Sequence, residues 1–524
     1  MSMTRVVTLA LVVVFILALT WLARLHMGGP AHQDVELPGG EPATMYLPGE
    51  GLPFFTLFPP PAAERPPAIV LMHGFSGDRE IMSVLARRLT QNGYAVLAMD
   101  VHGHGSNRNP FSEGFQSGAS STLFHDVKQA IDFLRDYPLV DGSRIVVMGH
   151  SMGAGVTLDV ASHEPNLKGA VMISGGFGLG PERPKNALFI FAEKDPDFIQ
   201  NLSEEIAAHL AGVPKVELDK LYGDFKQGTA IEAVQIPGVN HVQIVYSAPA
   251  AETIVKWLDA TFGIARTGAI KLDEPRLRVV RIALILFLAL LIPLGRVAGS
   301  MVSEWPEPFT VPGGWWGLLF VSGALVVAMP LVAMIPPLSF LPLVIGNVQI
   351  SWFAVAGLIM VAALALLYPL EWTRLRYGLR GPLFVAAIAL GLVYVCESEV
   401  SITLHRMALT PERLIVAGAA AVLMLPFWIG FEVFIRRGGI VISTLRGLAG
   451  RILILVLMAA GVMVGVLPFV LLLILPSLVL LFAMIEIFAA SAYSTSRNLG
   501  LIALVESAWF AWIIAATNPI TFTL

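Results

Sequence analysis

RIVVMGHSMGAG, residues 144–155, sets the frame for the whole chain. Ile145 to Met148 are four apolar residues that read as a short buried strand. Gly149-His150-Ser151-Met152-Gly153 then fits G-x-S-x-G, and small residues open a helix after it. Strand, Gly-bounded turn and helix are the context in which this pentapeptide forms a nucleophile elbow. Such a turn strains the serine backbone, so the residues two before and two after it must be tiny. It also aims the first free N–H groups of the helix at any anion that forms on the serine.

Outward from the elbow, strands and helices alternate. Ala68–Met72 reads as a strand that runs into HGFSG, residues 73–77, and residues 80–92 place Ile81, Val84, Leu85 and Leu89 on one helical face. Tyr94–Met99 is the next strand, ending at Asp100 and VHGHGSN, and a helix follows over about 122–136. Beyond the elbow come strands at Lys168–Ile173, Ala187–Ala192 and Ala230–Ile236. Phe198–Leu210 reads as a helix with Ser203 on its surface, and Val245–Phe262 closes the series. This alternation predicts a doubly wound, mostly parallel sheet covered on both faces. Residues 28–66, rich in Pro and Gly with an extended piece at Pro53–Phe58, read as leading strands and turns. Residues 106–121 and 197–229 break the rhythm, and no large lid is inserted.

That order, with the serine on a strand-to-helix turn, resembles the α/β-hydrolase family over about residues 45–263. The resemblance implies a triad in the order serine, acid, histidine. It points to Ser151 as nucleophile, Asp195 in EKDPD as the acid with Asp197 as its alternative, and His241 in PGVNH as the base. It implies an oxyanion hole from the backbone N–H groups of Met152 and Phe75. It implies no cofactor and no metal. His102 and His104 with Asp100 offer no clear third or fourth ligand. His73 and His104 are expected to shape loops, and His150 to fill the elbow. The activity implied is an esterase or lipase acting on acyl esters through an acyl-enzyme.

Charge and hydropathy divide the chain. Residues 27–265 carry a formal −11 and the rest +7, while mean hydropathy is +0.73 and charged residues make up 14%. The acidic part shows no basic patch with interleaved aromatics, so nucleic acid is excluded as a partner. Cys396 is the single cysteine, which excludes a cysteine-ligated metal site and an internal disulfide.

The apolar residues 6–23 lie between Arg5 and Arg24 and reach roughly 27 Å as a helix, enough to cross a bilayer. The run is long for a signal-peptide core and lacks an A-x-A-like site, so residues 1–27 read as an uncleaved anchor. Residues 28–265 form the catalytic domain, 266–281 a basic linker, and 282–524 an all-α polytopic domain of about eight spans. Those spans are expected at about 279–295, 315–335, 350–370, 382–403, 413–435, 452–470, 471–493 and 501–517, the 452–493 block forming a hairpin. Trp305, Trp315, Trp316, Trp352 and Trp372 read as an interfacial belt. Glu486 and Glu506 are expected to face the bundle interior, with Arg497 as a candidate partner. Glu397 and Glu399 are expected to be solvated.

Two sidedness signals disagree. The linker carries Arg266, Lys271, Arg276, Arg278 and Arg281, which favours a cytoplasmic catalytic domain. The loops 371–381 and 436–451 are also basic, and counting spans back from them places that domain outside. Together with the anchor they outweigh the linker, so the expectation is extracytoplasmic. The partners expected are the lipid bilayer and an acyl ester or lipid substrate. An acyltransferase or a lipid-handling transporter module is the alternative function. A peptidase is disfavoured because no gating domain precedes the catalytic part. The sequence leaves oligomeric state open.

Overall fold

The computed structural model describes residues 3–522 apart from 51–60, 112–120, 177–181, 304–312, 335–340, 370–379 and 402. The extended piece at Pro53–Phe58, Trp305 and Trp372 lie outside the described residues. So do most of the segment 106–121 and nearly all of the basic loop 371–381.

Among the described residues eight strands form one sheet in the order β1-β2-β4-β3-β5-β6-β7-β8. They are β1 (Pro30–Glu36), β2 (Pro42–Glu50), β3 (Pro67–Met72), β4 (Ala95–Met99), β5 (Asp141–His150), β6 (Gly169–Ile173), β7 (Ala187–Ala192) and β8 (Ile231–Ile236). β1 and β2 join antiparallel, and every pairing from β4 to β8 is parallel. All residues of β3, β4, β6 and β7 are buried, as befits strands with helices on both sides. The period-two alternation sorts β3 between two cores: Ala68, Val70 and Met72 face one, Ile69 and Leu71 the other. α2 (Ser83–Gln91) and α6 (Ala248–Phe262) cover the second core. α3 (Thr122–Asp136), α4 (Met152–Ala161) and α5 (Asp197–Ala211) cover the first. Ser203 is buried on α5, its hydroxyl bonded to the Ile199 carbonyl, and not on the surface as its helical position suggested.

The remaining long helices are α1 (Met3–Met27), α7 (Pro275–Ser300), α8 (Trp315–Met334), α9 (Gly346–Leu367), α10 (Arg380–Ser401) and α11 (Pro411–Ile435). α12 (Ile440–Met463), α14 (Leu475–Ser496) and α15 (Leu499–Thr517) complete them, with the single turn α13 (Val470–Leu473) between α12 and α14. Among the described residues nine helices are long and apolar enough to cross a membrane.

Three expectations need correction here. Residues 436–451 are not a loop: α12 begins at Ile440, and Arg446 and Arg451 lie within it. The helix starts before the apolar run does because buried carboxylates on neighbouring helices neutralise Arg451, which interrupts it. Trp352 is fully buried and donates its indole N–H to the Leu325 carbonyl, so it belongs to the core and not to a belt. Glu397 is buried against Trp509 instead of solvated.

The helical half docks on the sheet domain through hydrogen-bonded loops. Ile520 exchanges backbone bonds with Gly103 and Phe111 at 2.9 and 2.6 Å. The buried Arg413 guanidinium joins the Gly103, Ala515 and Asn518 carbonyls. Phe198 meets Phe469 edge to face. Three of the five cations in segment 266–281 are consumed by acids: Arg266 by Asp259, Arg276 by Glu274 and Arg278 by Asp273.

Candidate active site

The elbow sits where β5 turns into α4. Ser151 has φ +55° and ψ −114°, a conformation a non-glycine residue adopts only when its surroundings force it. Those surroundings explain the flanking glycines. A Cβ at Gly149 would stand 2.2 Å from the Gly153 carbonyl oxygen, and one at Gly153 would stand 2.6 Å from that of His73. The turn leaves the Met152 N–H as the first of α4, without an acceptor in its own helix.

Three side chains from three strand ends converge. His241 Nε2 lies 2.9 Å from Ser151 Oγ, and His241 Nδ1 lies 2.6 Å from Asp195 Oδ1. Asp195 Oδ2 accepts the Ser174 hydroxyl at 2.6 Å and the Ala192 N–H at 2.8 Å. Burial alone would raise the Asp195 carboxyl, but the bonds from His241, Ser174 and Ala192 hold it below the usual carboxylate range. Asp197 starts α5 with its side chain exposed, so it takes no part in this line.

Several neighbours carried no clear sequence signal. His150 donates Nε2–H to the His241 backbone carbonyl at 2.8 Å, bracing the loop that carries the histidine. Burial, and then the neighbouring His241, push its ring down to about 3, so it stays neutral. Ser174 holds the outer oxygen of Asp195 from a strained position of its own, φ +50°. From the helical half, His405 reaches the loop that contains Phe75: Nε2 lies 2.8 Å from the Ser76 carbonyl, and Nδ1 lies 3.0 Å from Asp78 Oδ2. Asp78 is fully buried and also accepts the Arg406 N–H at 2.6 Å.

The other histidines sort by contact. His73 spans the Gly74 carbonyl and the Val101 N–H, and His104 bonds the His102 carbonyl, so both shape loops. The set Asp100, His102 and His104 does not assemble, because Asp100 is taken by Arg79 and Ser106. His102 instead meets Asp126 at 2.7 Å, with Glu41 nearby.

Ser151, His241, Gly74 and Phe75 open on a cavity of about 390 Å³, most of whose other walls belong to the helical half. Leu284 and Phe287 of α7, Val400 of α10, Leu481 of α14 and Phe510 and Ile514 of α15 line it.

Comparison with known proteins agrees with this fold. Residues 63–220 match the family described as Hydrolase_4: Serine aminopeptidase, S33. A cutinase of Thermobifida alba, Cutinase est1, is 34% identical over 107 residues, covering 20% of this chain and 34% of its own. Cutinase 1 of Thermobifida cellulosilytica is 33% identical over the same length. A thermostable monoacylglycerol lipase of Bacillus sp. (strain H-257) is 27% identical over 177 residues, covering 30% of this chain and 68% of its own. The chain thus spans about a third of the length of the cutinases it matches. Sheet order, elbow and relatives together identify the N-terminal sheet domain as an α/β-hydrolase fold with ester hydrolases among its relatives.

Proposed function

We propose that this chain is a membrane-embedded serine ester hydrolase. The observation that carries the reading is the unbroken line Ser151 Oγ–His241–Asp195 at the mouth of an apolar cavity. His241 Nε2 takes the Ser151 proton as Oγ attacks the ester carbonyl. Asp195 fixes the tautomer and stabilises the imidazolium. The N–H groups of Met152 and Phe75 receive the oxyanion. The leaving alcohol takes the proton back from His241, and water then hydrolyses the acyl-Ser151 ester by the same steps. The cutinases and the monoacylglycerol lipase among the relatives support ester over peptide substrates. A fluorophosphonate probe should label the purified protein at Ser151, with release of acid from p-nitrophenyl esters blocked in parallel. Absence of both sinks the proposal.

His405 gives a second expected result. Its two ring nitrogens both face acceptors. The carbonyl it holds belongs to Ser76, at φ +60°, next to Phe75. His405→Ala should lower kcat about tenfold, with KM for a short soluble ester little changed, since loss of a whole oxyanion donor costs roughly 10²–10³. His405→Gln, which keeps one N–H donor, should lose less. An unchanged kcat in His405→Ala would detach this residue from the oxyanion loop.

We propose further that the catalytic domain lies outside the cytoplasm. The segment at the junction of α9 and α10, which carries Arg374, Arg376 and Arg380, is separated from the sheet domain by the three helices α7, α8 and α9, and its cations support this orientation by the positive-inside rule. The exposed positions Asn201 and Gly439 test the sides in a Cys396→Ala background. A membrane-impermeant maleimide on intact cells should label Asn201→Cys and spare Gly439→Cys. The opposite pattern would put the active site in the cytoplasm.

A further inference from the structure

The cavity beside Ser151 is apolar on most sides, but its lining from the helical half includes the buried polar side chains of Gln349 on α9, Glu397 on α10 and Asn518 after α15. Their exposures are 3%, 8% and 5%. Asn518 Oδ1 has no hydrogen-bond partner. Among the described residues no hydrogen bond reaches the Gln349 amide. Glu397 uses Oε2 to accept the Trp509 indole N–H at 2.8 Å, and that ring is itself fully buried. Trp509 thereby fixes the carboxyl in the cavity wall. Polar groups so placed are costly unless a partner meets them, and the partner able to do so is whatever occupies the cavity.

The chemistry of the groups that the cavity reaches narrows the occupant. The Gln349 amide both donates and accepts, and Glu397 offers the oxygen not used by Trp509. A hydroxyl also does both, so one or two hydroxyls can satisfy the set. An ammonium only donates and would leave the Gln349 NH₂ without an acceptor. The volume of about 390 Å³ lies low in the range of small-ligand sites, about 300–1,000 Å³. It suits one acyl chain with a small head and not a two-chain or three-chain lipid.

Resting on the reading of Ser151 as nucleophile, we infer that the site takes single-chain acyl esters of a polyol, with free hydroxyls bonded to Gln349 and Glu397. The Ser151 oxygen replaces the polyol oxygen on the acyl carbon, and the polyol leaves with the proton from His241. Water then cleaves the acyl-serine bond to yield the free fatty acid.

The test uses the full-length protein in detergent with 1-oleoylglycerol, methyl oleate, oleoyl-lysophosphatidylcholine and p-nitrophenyl acetate. Wild type should favour 1-oleoylglycerol over methyl oleate at least tenfold in kcat/KM, and over the lysolipid. Gln349→Leu and Glu397→Gln should each reduce the first ratio at least fivefold. Gln349→Leu removes no protein hydrogen bond and Glu397→Gln keeps an acceptor for Trp509, so both should melt at or above the wild-type temperature. A wild-type ratio near one, a preference for the lysolipid, or ratios unchanged in both variants would each overturn the inference. Failure of the wild type to cleave p-nitrophenyl acetate, or cleavage that survives Ser151→Ala, would instead overturn the assignment of the nucleophile.

Discussion

Ser151→Ala should reduce turnover of a soluble ester by at least about four orders of magnitude, while the protein melts as before. The hydroxyl contributes one bond, to His241, so its removal takes little from the fold. It takes away the whole covalent route. His241→Ala should cost nearly as much, because no other base lies on Ser151 Oγ. The Ser151→Ala, His241→Ala double variant should be no worse than either single one, since residues that act as a unit are not additive. Asp195→Asn should cost up to about 10⁴, through loss of the tautomer control that the 2.6 Å contact provides. Its effect includes the Ser174 and Ala192 donors, which share one carboxylate oxygen and would compete with His241 for the single amide oxygen that remains. Asp197→Asn should be neutral. If Asp197→Asn were the damaging substitution, or if Ser151→Ala kept its probe labelling, the arrangement would be misassigned.

The triad is legible in the sequence because its parts are tied to local rules. G-x-S-x-G between an apolar strand and a helix is a short-range pattern. The acid and the histidine then follow at the ends of β7 and β8, whose apolar runs are easy to find. What holds the triad is not local. His150 braces the His241 loop across 91 residues of chain, and Ser174 meets Asp195 across 21. His405 reaches Ser76 across 329 residues, from a loop between two apolar helices. No periodicity connects such pairs, and a histidine or serine in a loop looks the same whether or not it has a partner.

In the helical half, composition finds the spans but misplaces charges. Glu486 and Glu506 stand out in apolar runs, and the structure buries both against arginines, as the cost of an unpaired charge in apolar surroundings requires. Their partners are Arg436 and Arg451, not Arg497. Those arginines look like loop residues because a run of hydropathy stops at them. Glu397 misleads for the same reason: its distance from the helix end suggests solvent, yet the sheet domain and α15 close over that end. The cavity itself is invisible in either half alone, since each supplies part of its walls.

Arg436 carries the second large expected effect. Its guanidinium pairs with Glu432 one turn back on α11 and with Glu486 of α14 at 2.8 Å, and it is itself buried. Arg451 of α12 pairs with Glu486 at 2.5 Å and with Glu506 of α15, so five charged groups tie four helices together. Replacing one member leaves its partners charged in a site without water, which costs about 3–5 kcal/mol, whereas replacing matched partners together can be nearly neutral. Arg436→Met should therefore abolish accumulation of folded protein in membranes or lower its melting temperature sharply. Arg436→Met combined with Glu432→Met should recover a large part of that loss, because the lone carboxylate on α11 goes with the cation, and Arg451 still meets Glu486. Detergent-solubilised melting curves of the single and double variants measure the coupling directly. A single variant as stable as wild type, or a double variant no better than the single, would mean that the cluster is not what fastens these helices.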